Sequence, residues 1–253
     1  MKIISLNTWG GRAGKQEQLD FFENHKDVDI FCLQEIWSAP HDLERGTVIG
    51  GTALETENIL TEGLQKISEV LSDHTAYFRP HVDDNYGLLM FIKKEYKVIH
   101  EGERWVYKHK DYIPEGDLGN HARNIQYITF EKDGTSFTVI NFHGLWNGKG
   151  KGDSEDRILQ TKNILEFTKT LDHHFVLVGD FNLLPDTESI KLFEDAELKN
   201  LIKEYGITST RTSFYTKPVP YADYAFVTNG VEVKDFKVLP EEVSDHAALY
   251  LEI

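Results

Sequence analysis

The sequence predicts an α+β protein in which β-sheets are layered with helices. Short apolar runs typical of strands recur along the 253 residues. Only two clear amphipathic helices separate these runs, which is fewer than one helix per strand. Hydrophobic residues make up 40% of the chain, which is enough for a large core. These observations favour packed sheets over a regular alternation of strands and helices.

The composition indicates a single unit without covalent cross-links. No linker, repeat or low-complexity stretch divides the chain, so we expect one domain over residues 1–253. The only cysteine, Cys32, lies in the apolar run Val28–Leu33, which excludes an intramolecular disulfide and predicts a buried thiol. The sequence has no signal peptide or membrane-spanning segment, so we expect a cytoplasmic monomer without stable membrane association.

The formal net charge is −15, from 42 acidic and 27 basic residues. Such a surface gives no general attraction to nucleic acid or anionic lipid. It does not exclude a phosphate substrate, because a bound divalent cation reverses the local field.

The first half of the chain contains strands at Lys2–Leu6 and Asp29–Gln34, with a helix at Gln16–Asn24 between them. A long loop, Ser38–Leu54, leads to an amphipathic helix at Thr56–Leu71. The remaining elements are strands at Leu88–Lys93 and Tyr96–Ile99, an irregular loop at Gly102–His121, and strands at Ile125–Phe130 and Ser136–Phe142 joined by a turn at Asp133-Gly134.

In the second half, Asn147–Asp153 is rich in glycine and lysine and is predicted to be mobile. Asp153 or Ser154 caps the helix that follows, Glu155–Leu171. The remaining elements are a strand at Phe175–Val178, a short helix at Thr187–Phe193, a loop at Tyr205–Pro220, and strands at Tyr221–Val227, Val231–Leu239 and Ala247–Ile253.

The most informative stretch is Phe175–Asn182, an apolar run that ends in Gly-Asp-Phe-Asn. Because strand side chains alternate, Asp180 and Asn182 are predicted on one face and Phe181 on the other. A carboxylate beside a neutral amide suits the orientation of a water and the stabilisation of a developing negative oxygen. A strand end followed by an Asx turn gives the same letters, so the stretch alone leaves both interpretations open.

Polar residues also stand at the ends of other predicted strands. Asn7, Glu35 and His143 each lie at or just after an apolar run, and Ser244-Asp245-His246 precedes the last strand. Asp223 lies inside a predicted strand, where an unpaired carboxylate is costly, so it needs a partner. If the strands pack as two sheets, these polar ends gather at one edge.

Taken in order, these motifs resemble those of the endonuclease/exonuclease/phosphatase superfamily, the deoxyribonuclease I-like proteins. The resemblance covers the chain from Leu6-Asn7-Thr8-Trp9 through Leu33-Gln34-Glu35, Asn141-Phe142-His143-Gly144, Gly179-Asp180-Phe181-Asn182 and Ala222-Asp223-Tyr224 to Ser244-Asp245-His246. It implies a four-layer αββα sandwich of two mixed β-sheets flanked by helices. It also implies a hydrolase of ester bonds that depends on a divalent metal, usually Mg²⁺, with Mn²⁺ as a substitute.

The resemblance also implies a role for each matched residue. Glu35 becomes the principal metal ligand, with Asn7 and Asp245 as further candidates. His246, hydrogen-bonded to Asp223, contacts the scissile phosphate. The other implied roles are positioning or deprotonation of water by Asp180, stabilisation of negative charge by Asn182, phosphate binding or leaving-group assistance by His143, and substrate binding by Tyr86 and Arg123.

The resemblance defines the type of ester bond that is hydrolysed better than it defines the substrate. Trp9, Trp37, Trp146 and the basic, aromatic stretch Arg104–Lys110 favour nucleic acid as the substrate of a nuclease. The alternatives are a small phosphate ester, a phosphoinositide or a sphingomyelin-type head group. A non-catalytic binding module is disfavoured, because a binder has no need of Glu35 together with a complete set of catalytic-type residues.

Overall fold

A computed structural model describes residues 1–38, 58–110, 112, 114–115, 118–132 and 134–253. Within these residues it contains twelve strands: β1 (Lys2–Asn7), β2 (Ile30–Trp37), β3 (His74–Val82), β4 (Tyr86–Lys93), β5 (Val98–Tyr107), β6 (Arg123–Lys132), β7 (Thr135–His143), β8 (His174–Asp180), β9 (Lys199–Asn200), β10 (Asp223–Val227), β11 (Asp235–Val238) and β12 (Leu249–Glu252). The described α-helices are α1 (Lys15–Asn24), α2 (Gly63–Val70), α3 (Glu155–Thr168), α4 (Glu188–Asp195) and α5 (Leu201–Glu204).

The strands form two six-stranded sheets. The first has the order β11-β12-β1-β2-β4-β3, and the second has the order β5-β6-β7-β8-β10-β9. Each sheet is mixed, because β1 runs parallel to β2 and β7 runs parallel to β8, while the other named pairs are antiparallel. The predicted α+β class and two mixed sheets are confirmed.

Alternating residues of the first sheet contact different layers. Ile3, Cys32 and Met90 belong to the core shared with the second sheet, whereas their neighbours Ile4 and Leu33 pack in a cluster with residues of α1 and α2. Because strand side chains alternate between faces, the sheet is covered on both sides. Helices α3, α4 and α5 contribute Ile164, Phe193 and Leu201 to the core of the second sheet, which gives the four layers of the predicted αββα sandwich.

Buried amides connect the two sheets. Gln34 Nε2 on β2 donates to Asn141 Oδ1 on β7 at 2.7 Å, and Asn141 Nδ2 donates to the carbonyl of Leu33 at 3.0 Å. Gln34 and Asn141 are both fully buried. These directional hydrogen bonds favour one arrangement of the sheets, while the Oε1 atom of Gln34 is buried without a partner among the described residues.

The helix ends follow the sequence signals. Ser154 Oγ accepts from the backbone nitrogen of Arg157 and caps α3, while Thr187 Oγ1 accepts from the nitrogen of Ile190 and caps α4. Asp153, the other predicted cap of α3, instead accepts from the first turn of α4 through the nitrogen of Ser189 at 3.1 Å. It thereby ties the loop before α3 to α4.

Several predicted boundaries were wrong. The stretch 102–121 is not a single irregular loop, because β5 extends through Tyr107 and a 3₁₀ turn follows at Leu118–Asn120. Strand β2 continues past Gln34 to Trp37, and the helix predicted at 56–71 is confined to Gly63–Val70. The last two strands, β11 and β12, are shorter than predicted. Most of the loop predicted at 38–54 and the predicted turn residue Asp133 lie outside the described residues.

No helix in the described part of the chain combines the length and apolar character needed to cross a membrane. Cys32 is fully buried, as predicted, and its burial raises the pKa of the thiol.

Candidate active site

The predicted site residues meet where strands of both sheets end. A cavity of about 200 Å³ is lined by eight of them: Glu35, Tyr86, Arg123, His143, Asp180, Asn182, Asp245 and His246. The other two predicted residues, Asn7 and Asp223, are buried and hydrogen-bonded to members of this set. The structure therefore brings all ten predicted site residues together.

Strand register in the second sheet aligns three of these residues. His143 is paired with Asp180 across β7 and β8, and Asp180 is paired with Asp223 across β8 and β10. Gly179 makes this alignment possible, because its φ is +145° and an added Cβ would lie 1.9 Å from the carbonyl oxygen of Phe142. A side chain at residue 179 would push β8 away from β7.

Asp223 and His246 form a buried pair. Each carboxylate oxygen of Asp223 lies 2.9 Å from His246 Nδ1, and Thr210 Oγ1 donates to Oδ2 at 2.9 Å. Since an ionised carboxylate only accepts, Nδ1 carries the hydrogen and Nε2 faces the cavity side. Ser244 Oγ anchors this turn by donating to the carbonyl of Asn7 at 2.7 Å.

The protonation of His246 reflects its carboxylate neighbours. Burial and Arg211 lower its pKa, but Asp223, Asp245 and Asp180 outweigh them, so the pKa of His246 is raised above its ordinary value. The imidazole is thus held toward the cationic form. A cationic ring with one N–H directed at the cavity suits contact with an anionic group.

Asp180 lies at the centre of the constellation. Its Oδ2 is 3.0 Å from Asn7 Nδ2, 3.6 Å from His246 Nε2 and 3.7 Å from His143 Nε2. Burial alone would raise its pKa, but His246, Lys151 and Arg211 outweigh burial, so the pKa of Asp180 is lowered. The carboxylate is therefore ionised at neutral pH and can accept a proton from water.

Asn182 lies just beyond β8, not within it. Its backbone has φ of +54°, and its nitrogen donates to Asp180 Oδ1 at 2.8 Å, which is an Asx turn. The turn directs Asn182 to the same cavity as Asp180, while Phe181 is buried among aromatic rings, as predicted. The Asx turn and the pairing of Asp180 with Asn182 at the cavity, which the sequence left as alternatives, therefore occur together in one geometry.

Glu35 is directed to the site by a β-bulge. The pairing of β2 with β4 shifts register between Leu33 and Ile36, and Glu35 adopts φ of +59° inside the irregularity. Bulges redirect side chains in this way and are enriched beside active sites. Glu35 Oε1 accepts from Asn7 Nδ2 at 3.1 Å, and Arg12 Nη1 lies 3.7 Å from Oε2.

Two groups of donors are candidates for holding a divalent cation. Ligand atoms of Asp180, Asp223 and His246 lie within 4.8 Å of one another, yet Asp223 and His246 already bond each other. The carboxylates of Glu35 and Asp180 both accept from Asn7 Nδ2, and the buried Oδ1 of Asp245 has no hydrogen-bond partner among the described residues. Mg²⁺ prefers carboxylate and amide oxygens, so the carboxylates of Glu35 and Asp245 fit this ion. Asn7 Oδ1 already accepts from the nitrogen of Trp9 at 3.0 Å, so Asn7 would bind the ion through the second lone pair of that oxygen.

A cluster of buried rings forms the wall next to Glu35. His81 and His121 stack with centroids 4.9 Å apart, and Tyr86 packs edge-on against both. Burial and Arg123 lower the pKa of His143, which is therefore neutral at physiological pH. Burial lowers the pKa of Arg123 to about 10, but it remains charged, and its Nε and Nη1 have no partner within the described residues.

Sequence reasoning missed several cations of the pocket. Arg12, Lys151, Arg211 and Lys217 line the cavity with Trp9, Trp146 and Tyr215. Arg211 Nη1 donates to Asp245 Oδ2 at 3.0 Å, and the Arg211 guanidinium lies 4.0 Å from the Tyr215 ring centroid. Arg12 could have been found from its position in the turn just after β1, which carries Asn7 at its end. Lys151 and Arg211 gave no such signal, because they lie in loops whose composition resembles solvated surface.

The sequence model of the Endonuclease/Exonuclease/phosphatase family matches residues 4–246. The chain belongs to the endonuclease/exonuclease/phosphatase family. Family members hydrolyse phosphate esters and generally use a divalent metal ion, which supports phosphoesterase activity for this chain. No curated protein sequence matches the chain.

Solved structures share the fold over nearly the whole length of the chain. A mannosyl-6-phosphatase from Bacteroides thetaiotaomicron is 19% identical with a TM-score of 0.73, and the match covers 100% of this chain and 98% of that protein. TDP2 from D. rerio, complexed with single strand DNA product, is 15% identical with a TM-score of 0.69, over 99% of this chain and 97% of that one. At this identity the likeness shows the fold alone.

Proposed function

We propose that the protein is a divalent-metal-dependent phosphoesterase that hydrolyses phosphodiester bonds, with nucleic acid as its substrate. The observation that carries this proposal is the meeting of the Asp223–His246 pair with Asp180 at one cavity, where Asp180 Oδ2 lies 3.6 Å from His246 Nε2. Phosphoryl transfer requires an acceptor for the proton of the attacking water and a cationic donor to the phosphate oxygens, and Asp180 and His246 offer these two groups side by side at the cavity.

Each side chain has a role in this mechanism. Asp180, ionised and held by Asn7, orients the attacking water and accepts its proton. His246 donates from Nε2 to a non-bridging phosphate oxygen, while Asp223 fixes the ring. Asn182 has one amide N–H committed to the Gly144 carbonyl at 3.2 Å and uses the other for the developing negative charge.

The neutrality of His143 supports one of its two predicted roles. Because the pKa of His143 is strongly lowered, the protonated ring that would act as the acid for the leaving oxygen is scarcely populated at neutral pH, whereas the neutral ring can still donate one hydrogen bond to phosphate. Glu35, Asn7 and Asp245 would hold the divalent cation, which neutralises phosphate charge and polarises the P–O bond when bound.

The rim of the cavity supports nucleic acid as the substrate. Three aromatic rings there have cations near their faces: Trp9 with Arg12 at 5.7 Å, Tyr215 with Arg211 at 4.0 Å and Trp146 with Lys217 at 5.6 Å. Alternating cations and aromatic rings stack bases and contact the phosphate backbone of single strands. The other two cues weigh less, because Trp37 is buried against Tyr86 and residues 104–110 do not line this cavity.

A small phosphate ester is the second candidate, and two observations favour it. The cavity volume of about 200 Å³ is below the ~300 Å³ of typical ligand pockets. The net charge of −15 also opposes binding along a long polyanion.

A substrate panel tests the proposal. Purified protein is incubated with plasmid DNA, single-stranded DNA and RNA, p-nitrophenyl phosphate and bis-p-nitrophenyl phosphate, each with Mg²⁺, Mn²⁺ or EDTA. We expect cleavage of a nucleic acid that stops with EDTA and falls at least 100-fold in His246→Ala, about the contribution of one positioned catalytic group. Activity that survives EDTA or His246→Ala unchanged rejects the mechanism. Cleavage of the monoester alone rejects the nucleic-acid substrate and leaves the mechanism standing.

A further inference from the structure

A buried lysine without an assigned role lies in the wall of the site. Lys151 is only 5% exposed, and it lines the same cavity as Asp180 and His246. Its Nζ has no hydrogen-bond partner among the described residues and lies 5.6 Å from the centroid of the Tyr215 ring. A buried ammonium without hydrogen bonds is strongly unfavourable, so this arrangement needs a compensating group.

The surrounding charges do not supply full compensation. Asp180, Asp223 and Asp245 favour the ammonium, but burial and the nearby Arg211 disfavour it, and the pKa of Lys151 is lowered to about 8. Arg211 differs from Lys151 in this respect, because its guanidinium is already paired with Asp245. Lys151 is thus a pocket-lining cation whose donors are all uncommitted within the described residues.

The backbone holds Lys151 in place, although its loop is rich in glycine. Its carbonyl accepts from the nitrogen of Leu184 at 2.9 Å, just after the strand that carries Asp180. On either side, the buried Arg157 donates to the carbonyl of Gly150 at 2.8 Å and to that of Gly152. The loop predicted to be mobile is therefore anchored, around Lys151, to the segment that follows β8 and to Arg157 of α3.

We propose that Lys151 is a substrate ligand that binds a non-bridging oxygen of the substrate's phosphate group. This inference rests on the proposed phosphate-ester chemistry of the site. An ammonium offers three N–H donors, and phosphate oxygens are strong acceptors for such charge-assisted hydrogen bonds. The same contact makes Lys151 a selectivity residue, because a neutral ester leaves the ammonium buried and unpaired.

Inorganic phosphate tests this contact without turnover. Its dissociation constant is measured by isothermal titration calorimetry in EDTA for the wild type, Lys151→Met and Lys151→Arg. The matched control is Lys149→Met, in the same loop but exposed. We expect about 10- to 100-fold weaker binding for Lys151→Met, the range of one charge-assisted hydrogen bond. Lys149→Met should bind like the wild type, and Lys151→Arg should retain most of the affinity.

A folding control and an independent assay separate the possible failures. In phosphate-free buffer Lys151→Met should melt at or above the wild-type temperature, because it removes an uncompensated charge. At one phosphate concentration the melting temperature should rise more for the wild type and Lys149→Met than for Lys151→Met. Equal phosphate affinity of the wild type and Lys151→Met, or no affinity in the wild type, overturns the role of Lys151. Neither result bears on the proposed function, which the loss of hydrolysis in His246→Ala tests separately.

Discussion

Acid should unfold this protein through its buried histidines. Burial lowers the pKa of His81 to about 3 and those of His121 and His143 well below their ordinary value of 6.5. In each case Arg123 is the next largest cause, so the folded state holds these rings neutral while the unfolded chain protonates them near pH 6.5. Stability is therefore complete above that pH and is lost as the pH falls below it.

The size of the effect follows from the number of protons. Each proton bound only by the unfolded chain changes stability by about 1.4 kcal/mol per pH unit, so these three rings give roughly 4 kcal/mol per unit. Burial also lowers the pKa of His74, which adds to the slope in the same direction. His246 does not oppose this below pH 6.5, because its raised pKa leaves it protonated in both states there. A domain with a typical stability of about 5–15 kcal/mol should then unfold between one and four units below pH 6.5.

Urea denaturation between pH 7 and pH 5, in EDTA, measures this slope. The variant His81→Phe keeps a ring against His121 and should remove about 1.4 kcal/mol per unit from the slope, that is, one proton. The loss of the hydrogen bond to Asn124 at 3.1 Å lowers its stability at every pH without changing the slope. The matched control is His100→Phe, at an exposed position of β5. A wild-type slope below that of one proton, or equal slopes for the two variants, refutes the reasoning.

Three further predictions concern single side chains. Asp223→Asn should lower kcat about 10- to 100-fold with little change in KM, since a charge-assisted hydrogen bond contributes about 1.5–3 kcal/mol; unchanged steady-state kinetics would contradict the role of the Asp223–His246 pair. Glu35→Gln should raise the Mg²⁺ concentration for half-maximal activity at least about tenfold, because it removes a charged oxygen ligand, and an unaltered Mg²⁺ titration would exclude Glu35 as the main ligand. Arg157→Met should cost about 3 kcal/mol in urea denaturation, with exposed Lys169→Met as the control, because the carbonyls of Leu145, Gly150 and Gly152 lose their donor. A loss equal to that of the control would show that Arg157 does not hold this loop.

The sequence was most informative where chemistry and strand periodicity coincide. Asn7, His143 and Asp180 follow apolar runs that read clearly as strands. Register aligns His143 with Asp180 in the second sheet, and the packing of the two sheets brings Asn7 of the first sheet to Asp180. Asp223 was predictable for a different reason, because a carboxylate inside an apolar strand requires a partner, which His246 supplies.

Other features depend on contacts that no local pattern records. The bulge at Glu35 arises from pairing with β4, so the predicted strand ended too early. Strand β5 lies at the edge of its sheet with much of its surface exposed, and its polar sequence therefore resembles a loop. In the sequence Lys151 resembles a solvated loop lysine, because its burial depends on the contacts of its loop with Arg157 and Leu184.

The Gln34–Asn141 pair has a consequence for how the enzyme fails. Glu35 and Asn7 come from one sheet and His143 and Asp180 from the other, so a slip between the sheets separates the two halves of the reaction centre. Short polar links such as the 2.7 Å bond between Gln34 and Asn141 add a directional constraint to the interdigitated apolar side chains that resist that slip. Turnover should therefore be more sensitive than secondary structure to a substitution that removes this pair.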